Sequence, residues 1–189
     1  IVCGYGEILK HALIANKKFY KYFKLNFSNI LALKSPYIEK TIFESCKIKK
    51  KVVQKDEKEK NFRKVLNFGH TFAHAYEATL GYTKKLNHGE AVLLGIYSAL
   101  NFSLKNKLLS SNEYYLIIKH FEVSNLPFNI KNYFNLKHLS KILSFMLKDK
   151  KNKSDKINLI LLKRIGHPII NNVFSKNVLK TFLRKELTN

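Results

Sequence analysis

Two neighbouring segments, RKVLNFGHTFAH at residues 63–74 and HGEAV at residues 88–92, carry most of the chain's potential chemistry. They bring His70, His74 and His88 into a short span of sequence. His70 and His74 lie four residues apart, so on a helix their imidazoles project from one face about a turn apart. A helix can present metal ligands in this way, although two ordinary surface or core histidines at this spacing are commonplace.

The context of the histidines favours a metal. Gly69 precedes His70 and Gly89 follows His88, and glycine permits close approach of two backbones. His88 also opens a strongly apolar segment, where we expect an unpaired imidazole to be costly unless a metal satisfies it. The Glu of the HExxH motif is missing, so the histidines need an oxygen ligand from elsewhere, and Glu7 offers one.

Length and composition predict a single domain with a real core over residues 1–189, without an internal repeat or an interdomain linker. No apolar run approaches the roughly 20 residues that span a bilayer. Cys3 and Cys46 lack zinc-finger or CxxC spacing. We therefore expect a soluble protein of the cytoplasm with no membrane partner. Because the first residue is Ile1 and no signal peptide follows it, we also expect the chain to begin inside a larger protein.

The formal net charge of +22 is typical of proteins that bind nucleic acid. However, only Arg63, Arg164 and Arg184 among the 35 basic residues are arginine, the side chain that nucleic-acid readers prefer. The lysines are spread along the chain beside abundant Asn, Ile and Phe, as expected from drift toward A/T-rich codons. We predict no nucleic-acid partner, and a basic helical nucleic-acid-binding module remains a distant alternative.

Apolar residues recur at three- and four-residue steps through most of the chain, which predicts helices. The predicted helices cover about residues 7–25, 35–55, 66–80, 88–108, 110–123, 136–147 and 175–185. The segment at 88–108 is apolar on all sides and belongs in the middle of a bundle. Residues 156–163 and 169–173 have strand composition around a Gly-His-Pro turn. The predicted fold class is mainly α, a helical bundle with one small β-hairpin near the C-terminus.

Chemically distinctive residues occur in a fixed order along the chain. They are Glu7-Ile8-Leu9-Lys10 after a Gly-rich turn, Lys49, Arg63, Asn67 to Thr71, His74, Glu77, His88 to Val92, and Asp149-Lys150-Lys151. This ordered set resembles the C-terminal domain of the 3-dehydroquinate synthase family, within the sugar-phosphate cyclase superfamily. The resemblance covers essentially the whole chain and is far more specific than any one motif.

The resemblance implies a metal-dependent, NAD-using lyase of the shikimate pathway, which serves aromatic amino acid biosynthesis. Such an enzyme converts 3-deoxy-arabino-heptulosonate 7-phosphate into 3-dehydroquinate and phosphate. The family's zinc ligands fall on Glu7, His70 and His88, and cobalt is an alternative to zinc. In the family this metal acts as a Lewis acid on the hydroxyl that is oxidised.

The resemblance also assigns the substrate-contacting residues, which should grip an anionic sugar phosphate. His74 corresponds to a histidine that handles protons beside the metal, and Lys10 and Lys49 join it in catalysis. The substrate-binding set is Lys10, Lys49, Arg63, Asn67 and Lys150, with Lys151 as the alternative within its run.

One part of the family's architecture has no counterpart in this sequence. The N-terminal domain that binds NAD is absent, and Gly4-Tyr5-Gly6-Glu7 is no dinucleotide fingerprint. We therefore expect NAD to be bound mainly by a missing N-terminal domain, and the full-length enzyme to be a homodimer. Another sugar-phosphate cyclase and a metal-dependent polyol dehydrogenase of the same superfamily remain the alternatives.

Overall fold

Helices dominate the computed structural model, which describes residues 2–148 and 156–188. Among these residues the structure forms nine α-helices: α1 (Val2–Ala15), α2 (Lys17–Leu25), α3 (Phe27–Leu31), α4 (Tyr37–Lys55), α5 (His70–Thr79), α6 (His88–Lys105), α7 (Ser111–Val123), α8 (Leu139–Lys148) and α9 (Lys176–Thr188). Two strands, β1 (Lys156–Arg164) and β2 (His167–Ser175), pair between α8 and α9. Short 3-10 helices cover Phe62–Asn67, Ile130–Asn132 and Leu136–His138. The prediction of a mainly α fold with a C-terminal hairpin is confirmed.

Helix α6 lies at the centre of the bundle, as predicted from a segment that is apolar on all sides. Most of its side chains between Gly89 and Ser103 are buried. It packs against α1, α5, α7 and β1. Each Leu, Ile or Val buried in this way contributes roughly 1.5–3 kcal/mol relative to exposure. The helix therefore fixes where the other helices present their side chains.

The helix predicted from residue 7 to 25 is in fact two helices, and the first begins earlier, at Val2. Asn16 separates them with extended backbone, and its side chain accepts a hydrogen bond from the N–H of Phe19 at 2.6 Å. Asparagine is a preferred N-cap because its side chain satisfies a free N–H of the first turn. Apolar periodicity continues across such a cap, which is why the pattern alone missed the break.

Other predicted helix starts also shift, including that of α8, which begins at Leu139 rather than Leu136. Helix α4 begins at Tyr37 rather than Ser35, and its N-cap is Pro36, which has no side-chain acceptor to cap the helix. Helix α5 begins at His70 rather than Leu66, because Gly69 adopts a left-handed φ of 79°. A 3-10 helix occupies the preceding residues. His70 thus becomes the first residue of its helix.

The hairpin is antiparallel and is the only sheet among residues 2–148 and 156–188. Lys156 pairs with Ser175 and Leu161 with Ile169. Its turn contacts α1, since the N–H of Gly166 donates to the carbonyl oxygen of Leu13 at 2.7 Å. The hairpin packs on α6, whose buried Ser103 hydroxyl accepts a hydrogen bond from the β1 backbone.

Neither a disulfide nor a membrane-spanning helix occurs in the part of the chain that the structure describes. Cys3 and Cys46 are both free and exposed. None of the described helices combines the length and apolar character needed to cross a bilayer.

Candidate metal centre

Glu7 on α1 and two histidines at helix starts, His70 and His88, converge at one place. Each offers one ligand atom, and these atoms lie within 4.8 Å of one another. The Nε2 atom of His70 is 3.5 Å from Oε1 of Glu7, and the ring centroids of His70 and His88 are 6.1 Å apart. The structure therefore brings the three sequence-predicted ligands into one cluster of carboxylate and imidazole groups, a donor set typical of zinc.

Glycines allow the three helices to approach closely enough to form this cluster. A Cβ on Gly89 would lie 2.1 Å from Cα of Cys3, and a Cβ on Gly69 would lie 2.7 Å from the backbone nitrogen of Ile96. The N–H of Gly89 also donates to Sγ of Cys3 at 3.3 Å. These contacts hold α1 and the start of α5 directly against α6, as the glycines in the sequence suggested.

The two carboxylate oxygens of Glu7 have different surroundings. Oε2 accepts a hydrogen bond from the buried Lys10 ammonium at 2.8 Å. Burial opposes ionisation of Glu7, but Lys10 outweighs it, so the pKa of this carboxyl is lowered. Oε1 is buried and has no hydrogen-bond donor. A buried acceptor without a partner is costly, and a cation facing His70 at this oxygen would remove that cost.

His70 is held in the neutral form that metals require. Burial, with the Lys10 charge adding to it, lowers the pKa of His70 to about 4. Its Nδ1 atom lies 3.3 Å from the carbonyl oxygen of Phe68. An N–H donated there leaves the lone pair on Nε2, the atom that faces Glu7. The residues present therefore fit a divalent metal ion.

His88 differs from the sequence-based expectation. Its side chain is 50% exposed rather than buried, and it has a partner, because Nδ1 lies 2.9 Å from Oε1 of Glu77. The prediction of a buried, unpaired imidazole at His88 is therefore wrong. Glu77 had no role assigned to it from the sequence alone. Its position three residues after His74 and seven after His70, on the same helix face, was the signal available.

His74 lies beside the cluster, with its ring edge-on to His70 at a centroid distance of 5.3 Å. It is not one of the three converging ligand groups. His74 therefore lies next to the candidate ligands, and its role in proton handling stays a prediction. Lys10 is only 3% exposed, and burial lowers its pKa while Glu7 opposes that effect.

Lys49 projects from α4 and is exposed. Its charge contributes to the lowered pKa values of Lys10 and of the buried His11, so it lies near both. The side chain of His11 is hydrogen-bonded to Ser45 of α4 at 2.7 Å. This pair joins the helix that carries Glu7 to the helix that carries Lys49.

Arg63 and Asn67 lie in the 3-10 helix that leads to His70. The Arg63 guanidinium donates to the carbonyl oxygen of Glu57 at 2.9 Å, and the Asn67 amide donates to Oε1 of Glu59 at 3.1 Å. Both side chains therefore contact their own loop. The remaining predicted substrate residue, Lys150, and its alternative Lys151 lie outside the described residues.

Asp56 organises this loop, a role that the sequence analysis missed. Its carboxylate accepts backbone hydrogen bonds from Lys60, Asn61 and Arg63 at 2.9, 2.8 and 3.0 Å. These bonds, that of Arg63 foremost, lower the pKa of Asp56. An Asp at a helix end followed by a turn is the sequence signal for such a structure.

Gly4 and Gly6 lie inside α1, which begins at Val2. They do not form the turn between strand and helix that cradles a dinucleotide pyrophosphate. The described residues of this segment therefore contribute a metal-ligand candidate, Glu7, and no nucleotide-phosphate loop.

The sequence matches a known family over most of its length. The family described as 3-dehydroquinate synthase C-terminal matches residues 4–152. The chain is 56% identical over 188 residues to a 3-dehydroquinate synthase of Pelagibacter ubique, covering 100% of this chain and 51% of that protein. It is 38% identical over 168 residues to a 3-dehydroquinate synthase of Alkaliphilus metalliredigens, and the match covers 88% of this chain and 46% of that protein. The chain thus spans about half the length of the curated relatives it matches.

Solved structures support the same fold. A 2-epi-5-epi-valiolone synthase from Streptomyces hygroscopicus with NAD+ and Zn2+ bound superposes with a TM-score of 0.81 at 17% identity, covering 98% of this chain and 50% of that one. A 2-deoxy-scyllo-inosose synthase complexed with carbaglucose-6-phosphate, NAD+ and Co2+ superposes with a TM-score of 0.73 at 24% identity. The match covers 97% of this chain and 51% of that one. The solved structures show the fold, and the family match over residues 4–152 shows that the chain belongs to the 3-dehydroquinate synthase C-terminal family.

Proposed function

We propose that this chain is the metal- and substrate-binding part of a 3-dehydroquinate synthase. The enzyme would convert 3-deoxy-arabino-heptulosonate 7-phosphate into 3-dehydroquinate and phosphate, as a carbon–oxygen lyase. The observation that carries the proposal is the convergence of Glu7, His70 and His88 within 4.8 Å in a chain of this family. The 56% identity to a relative named 3-dehydroquinate synthase favours this substrate over that of another sugar-phosphate cyclase.

Glu7, His70 and His88 would hold zinc, or cobalt in its place. When bound, such an ion supplies Lewis acidity to a substrate hydroxyl. The chain's own contribution is preparation of the donors. Lys10 keeps Glu7 ionised through its ion pair at 2.8 Å, and burial keeps His70 neutral. Neither ligand has to lose a proton before the ion binds.

Basic side chains around the cluster would bind the anionic groups of the substrate. Lys10 of α1 and Lys49 of α4 would be two of them, and the charge of Lys49 acts on Lys10. Arg63 and Asn67 lie in the loop shortly before His70. Their side chains would leave their present acceptors, on Glu57 and Glu59, and donate to substrate oxygens instead. Lys150 is proposed as a further phosphate or carboxylate contact.

His74 would hold and transfer a proton beside the metal ligands. Its ring contacts that of His70 edge-on, so it is close to the reacting groups without being part of the ligand cluster. A histidine is suited to this task because its usual pKa lies near neutrality.

NAD would be bound mainly by an N-terminal domain corresponding to the half of the relatives that these 189 residues do not match, and supplies the reversible acceptance of a hydride. The support is that the relatives are about twice as long as this chain. The full-length enzyme is proposed to be a homodimer. The chain alone should bind zinc yet release no phosphate, because orientation of the reacting groups can contribute roughly 7–11 kcal/mol and needs both halves.

A chimera tests this function. The N-terminal half of the Pelagibacter ubique enzyme is fused before this chain, and phosphate release from the heptulosonate phosphate is measured with zinc and NAD. We expect turnover of about 1–10 per second for the chimera. The isolated chain and a His70→Ala chimera should show none. A folded, zinc-loaded chimera that binds NAD without releasing phosphate would contradict the proposed function.

A further inference from the structure

Glu77 is hydrogen-bonded to His88, one of the three candidate metal ligands, but is not itself a candidate ligand. We propose that Glu77 is a positioning residue, which turns the imidazole of His88 so that its Nε2 atom faces Glu7 and His70. This proposal rests on the metal site of the proposed function.

Glu77 is placed by the same helix face that carries the other groups. His70, His74 and Glu77 follow one another on α5 at steps of four and three residues, so they share one side of the helix. The Glu77 side chain is 11% exposed, and its Oε1 atom lies 2.9 Å from Nδ1 of His88. A carboxylate this buried is stable only with a donor, and His88 supplies it.

The two histidine ligands are restrained in different ways. The side chain of His70 is 13% exposed, and its Nδ1 lies near the backbone carbonyl oxygen of Phe68. His88 is the first residue of α6, and its side chain is 50% exposed. Without Glu77 the ring of His88 would be free to rotate and to exchange its tautomer, whereas that of His70 would not.

The contact sets both the orientation and the chemistry of His88. A proton on Nδ1 donated to Glu77 leaves the lone pair on Nε2, the atom that is then available to a metal ion. Loss of such a partner typically lowers metal affinity by about 10–100-fold. The geometry therefore predicts a loss of zinc affinity without the removal of any ligand.

Zinc affinity of the 189-residue chain, measured by competition with a chromophoric chelator, tests the proposal. We expect Glu77→Ala to weaken zinc binding by about 10–100-fold. Glu77→Gln, which keeps an acceptor oxygen but loses the charge, should have a smaller effect.

Glu186 is the matched control. Its side chain is 12% exposed, and it accepts hydrogen bonds from Asn101 and Lys105, each at 2.6 Å. Lys105 ends α6, whereas His88 begins it, so this carboxylate is equally buried but remote from the ligands. Glu186→Ala should destabilise the fold while zinc affinity stays within twofold of the unsubstituted chain.

A second readout needs no metal. The nitrogen-15 shifts of the His88 ring should show the proton on Nδ1 in the metal-free chain, and a mixture of tautomers in Glu77→Ala. Unchanged zinc affinity and tautomer in folded Glu77→Ala would refute the role of Glu77 without refuting the metal site. An equal loss of affinity in Glu186→Ala would have the same consequence. Failure of the unsubstituted chain to bind zinc would refute the metal site, and this proposal with it.

Discussion

Substitution of Gly89 by alanine should increase the distance between the candidate metal ligands on α1 and α6 without removing any of them. A Cβ at this position would lie 2.1 Å from Cα of Cys3 and 2.5 Å from its backbone nitrogen. Ordinary contact begins at 3.4 Å, so α1 and α6 must separate by about 1.3 Å. Metal–ligand distances tolerate only about 0.2 Å. Because Glu7 lies four residues beyond Cys3 on α1, the displacement should move its carboxylate away from His88.

The expected magnitudes follow from that overlap. Overpacking against backbone costs roughly 1–3 kcal/mol, and zinc affinity should fall at least tenfold. Gly4→Ala is the matched control, because a Cβ there meets nothing within 4 Å, and alanine in a helix gains up to about 1 kcal/mol over glycine. Chemical denaturation and chelator competition give the two quantities. Zinc affinity and stability in Gly89→Ala equal to those of Gly4→Ala would refute the claim that this close approach builds the site.

Three further predictions concern individual side chains. Glu7→Ala should lose zinc binding much more than His74→Ala does, since only Glu7 belongs to the converging ligand group; equal losses in a zinc titration would remove that distinction. Burial lowers the pKa of His120 from 6.5 to about 4, so the unfolded chain binds a proton there that the folded chain does not. The free energy of unfolding should therefore fall as pH drops from 6.5 towards 4, by up to about 3 kcal/mol from this residue, and less steeply in His120→Leu; parallel pH profiles from denaturant melts would contradict this. Ser110→Ala should cost about 1 kcal/mol, because the Ser110 hydroxyl accepts the N–H of Glu113 at 3.3 Å, and an unchanged melting temperature would argue against the cap.

Periodicity and composition were sufficient for the fold class and for most helices. The apolar residues on all sides of α6 and the strand-forming residues around Gly166 are properties of local sequence. The structure has the buried helix and the hairpin that they predict. The break at Asn16 and the start of α5 at His70 were missed, because each depends on one residue's backbone conformation rather than on a periodic pattern. Cap residues act over a single turn, which an average over many residues conceals.

The candidate site was predictable as residue types but not as contacts. The sequence supplied Glu7, His70 and His88, and glycines beside the histidines indicated close packing. The partner of His88 was not predictable in the same way, because the contact with Glu77 depends on how α5 and α6 cross. The half-exposed setting of His88 likewise follows from tertiary packing, which the apolar sequence around it did not reveal.

The most direct test of the metal centre is the X-ray absorption spectrum of the zinc-loaded chain. We predict one zinc per chain, with one carboxylate oxygen and two imidazole nitrogens at about 2.0–2.2 Å. In His70→Ala, at a zinc concentration high enough to restore binding, the part of the spectrum due to imidazole ligands should fall by half, because only His88 remains. A sulfur ligand from Cys3, or a zinc content that does not saturate at one per chain, would contradict the assignment of Glu7, His70 and His88.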